Sequence, residues 1–150
     1  MTYKVLCGAV LVLGLACGGK QVRKEEGTGD KAFPFNYSSW KRLNPQPIQR
    51  EGLTRNLFAN EVALHKGAQG KFAVGSVLVK EDRRSSELGQ PKVVVQVMSK
   101  VASGGHEGWI YKAFDGETRK ELPADKVDIE GCYYCHVNAK EKDFVFSDVK

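Results

Sequence analysis

Apolar and polar positions alternate most regularly in the middle of the chain. Residues 92–101 (KVVVQVMSKV) give the strongest strand signal, rich in β-branched side chains and broken only by Gln96. Residues 53–59, 76–80 (SVLVK) and 109–114 (WIYKAF) read as further strands. The SVLVK strand is bounded by Gly75 and a charged loop over 81–84, and the last strand is ended by a turn at Asp115-Gly116. Helical signals are short. Ser38 or Ser39 caps an expected helix containing Trp40 and Leu43, which Pro45 and Pro47 stop. Asn60 caps another through Glu61, Ala63 and Leu64, closed by Gly67. A third is expected to start at residues 132–136, with residues 143–146 packing after it. The pattern predicts a mainly β fold with a few short helices and no internal repeat.

The N-terminal 32 residues are built differently. Residues 1–4 make a short basic start, and residues 5–16 are an apolar run about the length of a signal-peptide core, too short to span a bilayer comfortably. The run ends in Gly14-Leu15-Ala16-Cys17-Gly18-Gly19, which resembles a bacterial lipobox with Cys17 as the lipidated residue, although Gly14 stands where such motifs usually carry Leu. Ordinary cleavage nearby is the alternative. Residues 18–32 are polar, charged and glycine-rich with one isolated aliphatic, Val22, so they read as a flexible tether. The expected organisation is a signal segment over 1–17, a tether over 18–32 and one domain over 33–150. The expected location is the periplasm, with the domain anchored to the outer membrane through a lipid on Cys17.

The densest chemistry lies near the C-terminus, in Cys132-Tyr133-Tyr134-Cys135-His136. Two thiols three positions apart, followed at once by an imidazole, suit the attachment of one c-type haem. Each thiol adds across a porphyrin vinyl group, and the adjacent His136 is placed to ligate the iron. A zinc site would need four ligands, and a thioredoxin-like pair would need a strand–motif–helix context that is not visible. Cys7 falls in the signal and Cys17 is the lipid candidate, which leaves no cysteine for a disulfide in a compartment that would permit one. The net charge of +5 over 150 residues is scattered and carries no nucleic-acid motif. It suits an acidic redox partner or an anionic surface.

Several pieces together resemble the cytochrome P-460 and cytochrome c-prime-beta family. They are Tyr37-Ser38-Ser39-Trp40, Leu57-Phe58-Ala59-Asn60, Gly75 to Glu81 (GSVLVKE), Val97-Met98, Gly108-Trp109, the haem motif, and Asp143-Phe144-Val145-Phe146-Ser147. The resemblance implies a mainly antiparallel β fold, often a homodimer, with five-coordinate haem attached near the C-terminus. It implies one of two activities. One branch oxidises hydroxylamine with a haem cross-linked to a lysine; the other binds gases such as nitric oxide in an apolar distal pocket.

Particular residues bear on that choice. Lys80 shares a strand face with Ser76 and Leu78 and is the candidate cross-linking lysine; the competing reading is a solvated lysine beside Glu81. Gln96 shares a face with Val94 and Met98, near where the resemblance implies a carboxylate in the hydroxylamine-oxidising branch. An amide is no general base at neutral pH, and its plainer reading is a solvent-facing strand residue. Met98, His65 and His106 are candidate sixth ligands, each with a simpler explanation in packing, a helix end or an exposed loop. Phe58 and Phe72 are expected to wall the distal side, and Arg83 or Arg84 to reach a haem propionate or lie in a solvated loop. The leading expectation is a gas-binding cytochrome served by a redox partner protein. Hydroxylamine oxidation and simple electron transfer are the alternatives.

Overall fold

The structure, a computed structural model, describes residues 33–50, 52–84 and 92–149. The signal, lipobox and tether expected over residues 1–32 lie outside the described residues. Six strands form one antiparallel sheet: β1 (Lys41–Arg42), β2 (Ile48–Arg50), β3 (Leu53–Ala59), β4 (Val77–Arg84), β5 (Val93–Lys100) and β6 (Trp109–Asp115). Their order is β1-β3-β4-β5-β6, and β2 pairs with the opposite end of β3 from β1. The mainly antiparallel β fold with a few short helices is therefore as the sequence led us to expect.

Register decides which side chains share a face. Leu57, Lys80, Gln96 and Ala113 form one cross-strand row, and Phe58, Val79, Val97 and Lys112 form the next. Because successive strand residues point to opposite sides, these two rows face opposite ways. One face carries Phe58, Val79, Val95, Val97 and Phe114, covered by Phe33 and Tyr37 from the N-terminal segment. The other carries Ala59, Leu78, Met98 and Tyr111, packed against Phe72, Trp109, Val145 and the helix that bears the cysteines.

Three local expectations are corrected. Residues 38–43 are not a helix: a single 3-10 turn, Tyr37–Ser39, gives way to extended Trp40 and then β1. Asn44 secures the following turn, accepting from the Leu57 N–H at 2.7 Å and donating to the carbonyls of Gln46 (2.8 Å) and Arg55 (3.2 Å). The charged 81–84 stretch is strand, because its carboxylates find partners. Glu81 and Asp82 are buried; Asp82 takes a bidentate pair from Arg55, at 2.7 and 2.9 Å. Asn60 caps α1 (Glu61–Leu64) as expected, its Oδ1 accepting from the Ala63 N–H at 3.0 Å, but His65 rather than Gly67 ends that helix.

The cysteine motif lies at the end of a helix, not its start. Asp128 caps α2 (Ile129–His136) by accepting from the Gly131 N–H at 2.8 Å, and a 3-10 segment, Val137–Lys142, follows. Among the described residues no helix is long and apolar enough to cross a membrane.

Candidate functional site

Helix α2 packs across β6, on the sheet face that carries Lys80 and Gln96. Between them is a cavity of about 450 Å³ lined by Cys132, Cys135, His136, Lys80, Gln96 and Tyr111, among others. Cys132 and Cys135 are one helical turn apart and so share a side of α2. His136 is the last residue of α2 and therefore borders the same space. Lys80 and Gln96 are direct cross-strand partners, so they enter the cavity side by side.

His136 is held for ligation. Its Nδ1 lies 2.5 Å from the carbonyl oxygen of Phe144. A carbonyl only accepts, so Nδ1 must carry the proton and Nε2 is left with its lone pair. The ring is flanked by Tyr111 (centroids 5.5 Å apart) and by Phe146, edge-on at 5.2 Å. Burial pushes the imidazole below its ordinary pKa, the Phe144 carbonyl opposes this, and Lys80 adds to it. The neutral ring that a metal ligand must be is thus favoured. Burial likewise raises the Cys132 thiol, against the pull of Lys80.

Two polar groups in the cavity lack partners. Tyr111 is 8% exposed, and its hydroxyl makes no hydrogen bond. Burial pushes its pKa well above the ordinary phenol value, so it remains a donor. Lys80 has no hydrogen bond or ion pair among the described residues; burial depresses its amine, with Asp82 opposing and Arg55 reinforcing the shift. A lysine that loses water and gains no partner is uncommon, as is an orphaned buried hydroxyl. Both orphans, the free Nε2 and the two thiols border one space whose volume is in the range of small-molecule and cofactor sites. The residues therefore fit a haem group. They do not gather a bare metal ion: among the described residues no group of three or more His, Cys, Asp or Glu side chains is arranged to hold one.

The candidate residues sort as follows. Cys132, Cys135, His136, Lys80, Gln96 and Met98 all line the cavity. The solvated reading of Lys80 and Gln96 does not hold, because register puts both on the face that α2 covers. Phe58 borders the cavity, but its row is the opposite one: its ring packs against Tyr37 (5.5 Å) and under the Arg42 guanidinium. Phe72 is outside the cavity, buried edge-on against Trp109 at 5.5 Å. The two aromatics expected as a distal wall are thus core residues. Tyr111 and Phe146 flank His136 instead. Tyr111 is brought opposite Met98 by the register of β6 on β5, and nothing local marked Phe146.

The arginines are also reassigned. Arg83 turns away from the cavity to chelate Glu81 at 2.8 and 3.1 Å, and Arg84 is exposed. Arg50, Arg55 and Lys112 line the cavity in their place. His65 is surface-exposed and paired with Glu61 at 2.9 Å. His106, expected in an exposed loop, is half-buried, its ring stacked on Tyr133 at 4.1 Å. Neither histidine lines the cavity.

A family model described as cytochrome P460 matches residues 34–147, which span every cavity residue named above. No curated protein matches the chain.

Proposed function

Because this chain belongs to the cytochrome P460 family, which implies a haem cofactor, we propose that it is a periplasmic mono-haem c-type cytochrome with five-coordinate iron. Cys132 and Cys135 would hold the haem, Nε2 of His136 would ligate it, and a small neutral molecule such as nitric oxide would be the ligand it takes. The observation that carries this reading is the make-up of the cavity. Leu43, Leu57, Leu78 and Met98 give it apolar walls, Gln96 is a neutral hydrogen-bonding group within it, and no carboxylate is among the described lining residues.

When bound, haem supplies an iron centre with an exchangeable position and a one-electron couple. The chain's own residues do the rest. Cys132 and Cys135 fix the cofactor, and the Phe144 carbonyl fixes the rotation of His136. The apolar walls favour small uncharged ligands. Gln96 can donate to or accept from a bound ligand but cannot remove its protons near neutral pH. Among the cations lining the cavity, Arg50 suits a propionate, since Arg55 is paired with Asp82 and Lys112 with Glu121. The nearest buried carboxylate on this face, Asp82, is already held by Arg55. Electrons would come from a redox partner protein, and the domain would be tethered through a lipid on Cys17.

A second reading, hydroxylamine oxidation with Lys80 joined to the haem edge, is favoured by one observation: the Lys80 amine is in the cavity without a partner. Simple electron transfer would require Met98 on the iron. An absorption spectrum of the haem protein, ferric and then dithionite-reduced, with and without carbon monoxide, separates the three. A high-spin ferrous band that shifts with carbon monoxide supports ligand binding. A strongly red-shifted ferrous Soret band would transfer the assignment to hydroxylamine oxidation, and a low-spin spectrum indifferent to carbon monoxide to electron transfer.

A further inference from the structure

Two consecutive non-glycine residues, Asp143 (φ 54°) and Phe144 (φ 65°), adopt left-handed backbone. Side chains at such positions crowd the backbone, so the conformation persists only where its surroundings hold it. Here the two carbonyls serve different receivers. That of Asp143 accepts from Trp109 Nε1 at 3.0 Å, and that of Phe144 accepts from His136 Nδ1 at 2.5 Å.

Backbone bonds from the Asp143, Phe144 and Val145 N–H groups to the carbonyls of Lys140, Ala139 and Lys142 close the turn, and the Asp143 carboxylate anchors it to the rest of the fold. It is buried, with Oδ1 accepting from Lys100 Nζ at 2.8 Å and Oδ2 accepting from the Phe72 backbone N–H at 2.9 Å. Lys100 is itself largely buried; it sits 4.9 Å from the Trp109 ring centroid and donates to the Glu107 carbonyl at 3.2 Å. One carboxylate therefore ties the C-terminal turn to β5 and to the segment ahead of β4, while its own carbonyl ties the turn to β6.

Resting on the reading that His136 ligates the haem iron, we infer that Asp143 is a positioning residue for that ligand. Its buried ion pair with Lys100 holds the left-handed turn that aims the Phe144 carbonyl at His136 Nδ1. The effect on the metal is electronic as well as steric. A carbonyl acceptor on Nδ1–H makes the imidazole a stronger donor through Nε2. A stronger axial donor favours ferric over ferrous iron and lowers the reduction potential. Asp143 touches neither iron nor ligand, so its influence passes through Phe144 and His136.

The test uses the haem-bearing protein and three measurements: covalent haem content, the iron–histidine stretching band of the ferrous state, and the reduction potential. Asp143→Asn and Lys100→Met are expected to retain covalent haem, move the stretching band to lower frequency and raise the potential, the aspartate variant more. Lys100→Arg, which keeps the ion pair, is expected to return wild-type values. Phe72→Leu removes ring packing on Trp109 but leaves the Phe72 N–H bond intact; it should lower the melting temperature and leave band and potential alone. If Asp143→Asn does not accumulate, Lys100→Met carries the test, because it leaves the bond from Phe72 in place. Lower melting temperatures with band and potential unchanged in both variants would overturn the inference, as would an equal shift in Phe72→Leu. Wild-type protein without covalent haem would overturn the haem assignment itself, a result that haem content separates from the others.

Discussion

The Tyr111 hydroxyl offers a sharp test of whether the cavity is completed by haem. It is buried and has no hydrogen-bond partner among the described residues. A buried hydroxyl left unsatisfied costs about 1–3 kcal/mol, whereas a hydrogen bond to a charged group contributes about 1.5–3 kcal/mol. Tyr111→Phe removes only that oxygen; the ring still packs on His136, 5.5 Å away. In haem-free protein the substitution should therefore be neutral or stabilise by about 1 kcal/mol, because it deletes an unmet group. In haem-bearing protein, if the bound group gives the hydroxyl a partner, the substitution should destabilise by about 1 kcal/mol or more. The phenol will not ionise to confuse the result, since burial holds its pKa far above the ordinary value. Urea unfolding of both forms, followed by circular dichroism, reads the two numbers. Equal destabilisation of both forms would refute the reasoning, for it would mean that the hydroxyl already has a partner inside the protein.

Other consequences are more local. Arg55→Met should lower stability by about 3 kcal/mol, because Asp82 is left buried and unpaired; a loss under about 1 kcal/mol by chemical denaturation would show the pair to be solvent-screened. Burial alone would raise Glu81, but hydrogen bonds from Tyr37, Arg83 and Asn56 outweigh it and hold the carboxyl below its ordinary 4.5. Its folded-state pKa is depressed, so its contribution is present above that value and lost as pH falls through the folded pKa. Glu81→Gln should accordingly flatten the acid limb of a stability profile, and an unchanged acid slope would sink this assignment. Lys80→Ala should leave the spectrum of the haem protein unaltered if the haem is unlinked; disappearance of a red-shifted ferrous band would instead identify the cross-link. Replacing Cys132 and Cys135 together by Ala should abolish haem that survives denaturation, as read by haem staining of a denaturing gel, and retained covalent haem would exclude these thiols as the attachment points.

The features legible in the chain were those set by near neighbours. Strand Leu53–Ala59 and most of Val93–Lys100 follow from local composition, the second from its run of β-branched residues, and the Asn60 cap follows from one side chain bonding the backbone three residues on. The pairing of two thiols with an adjacent imidazole is equally local, which is why the site's centre could be named without coordinates. Alternation also told that Leu78 and Lys80 share a face. It could not tell which face a helix fifty residues later would cover. Phe58 shows this: the residue beside it, Leu57, has the parity that pairs with Lys80, and only the register of β3 on β4 reveals it.

The charged stretch after Lys80 shows the same division. By composition Glu81 to Arg84 is a loop, since isolated carboxylates resist burial. In the fold Glu81 meets Tyr37, 44 residues away, and Asp82 meets Arg55, 27 residues away, so the stretch can stay in the sheet. The Asp143 turn depends on Lys100 and Phe72 in just this way. Sequence by itself determined four of the strands in outline and one helix cap, and it singled out the Cys132-to-His136 motif, because each is a matter of composition or spacing within a few residues. Tertiary structure alone decided that Lys80, Gln96 and Tyr111 face those residues and that His136 presents Nε2, because burial, partner and orientation are properties of groups brought together from distant parts of the chain.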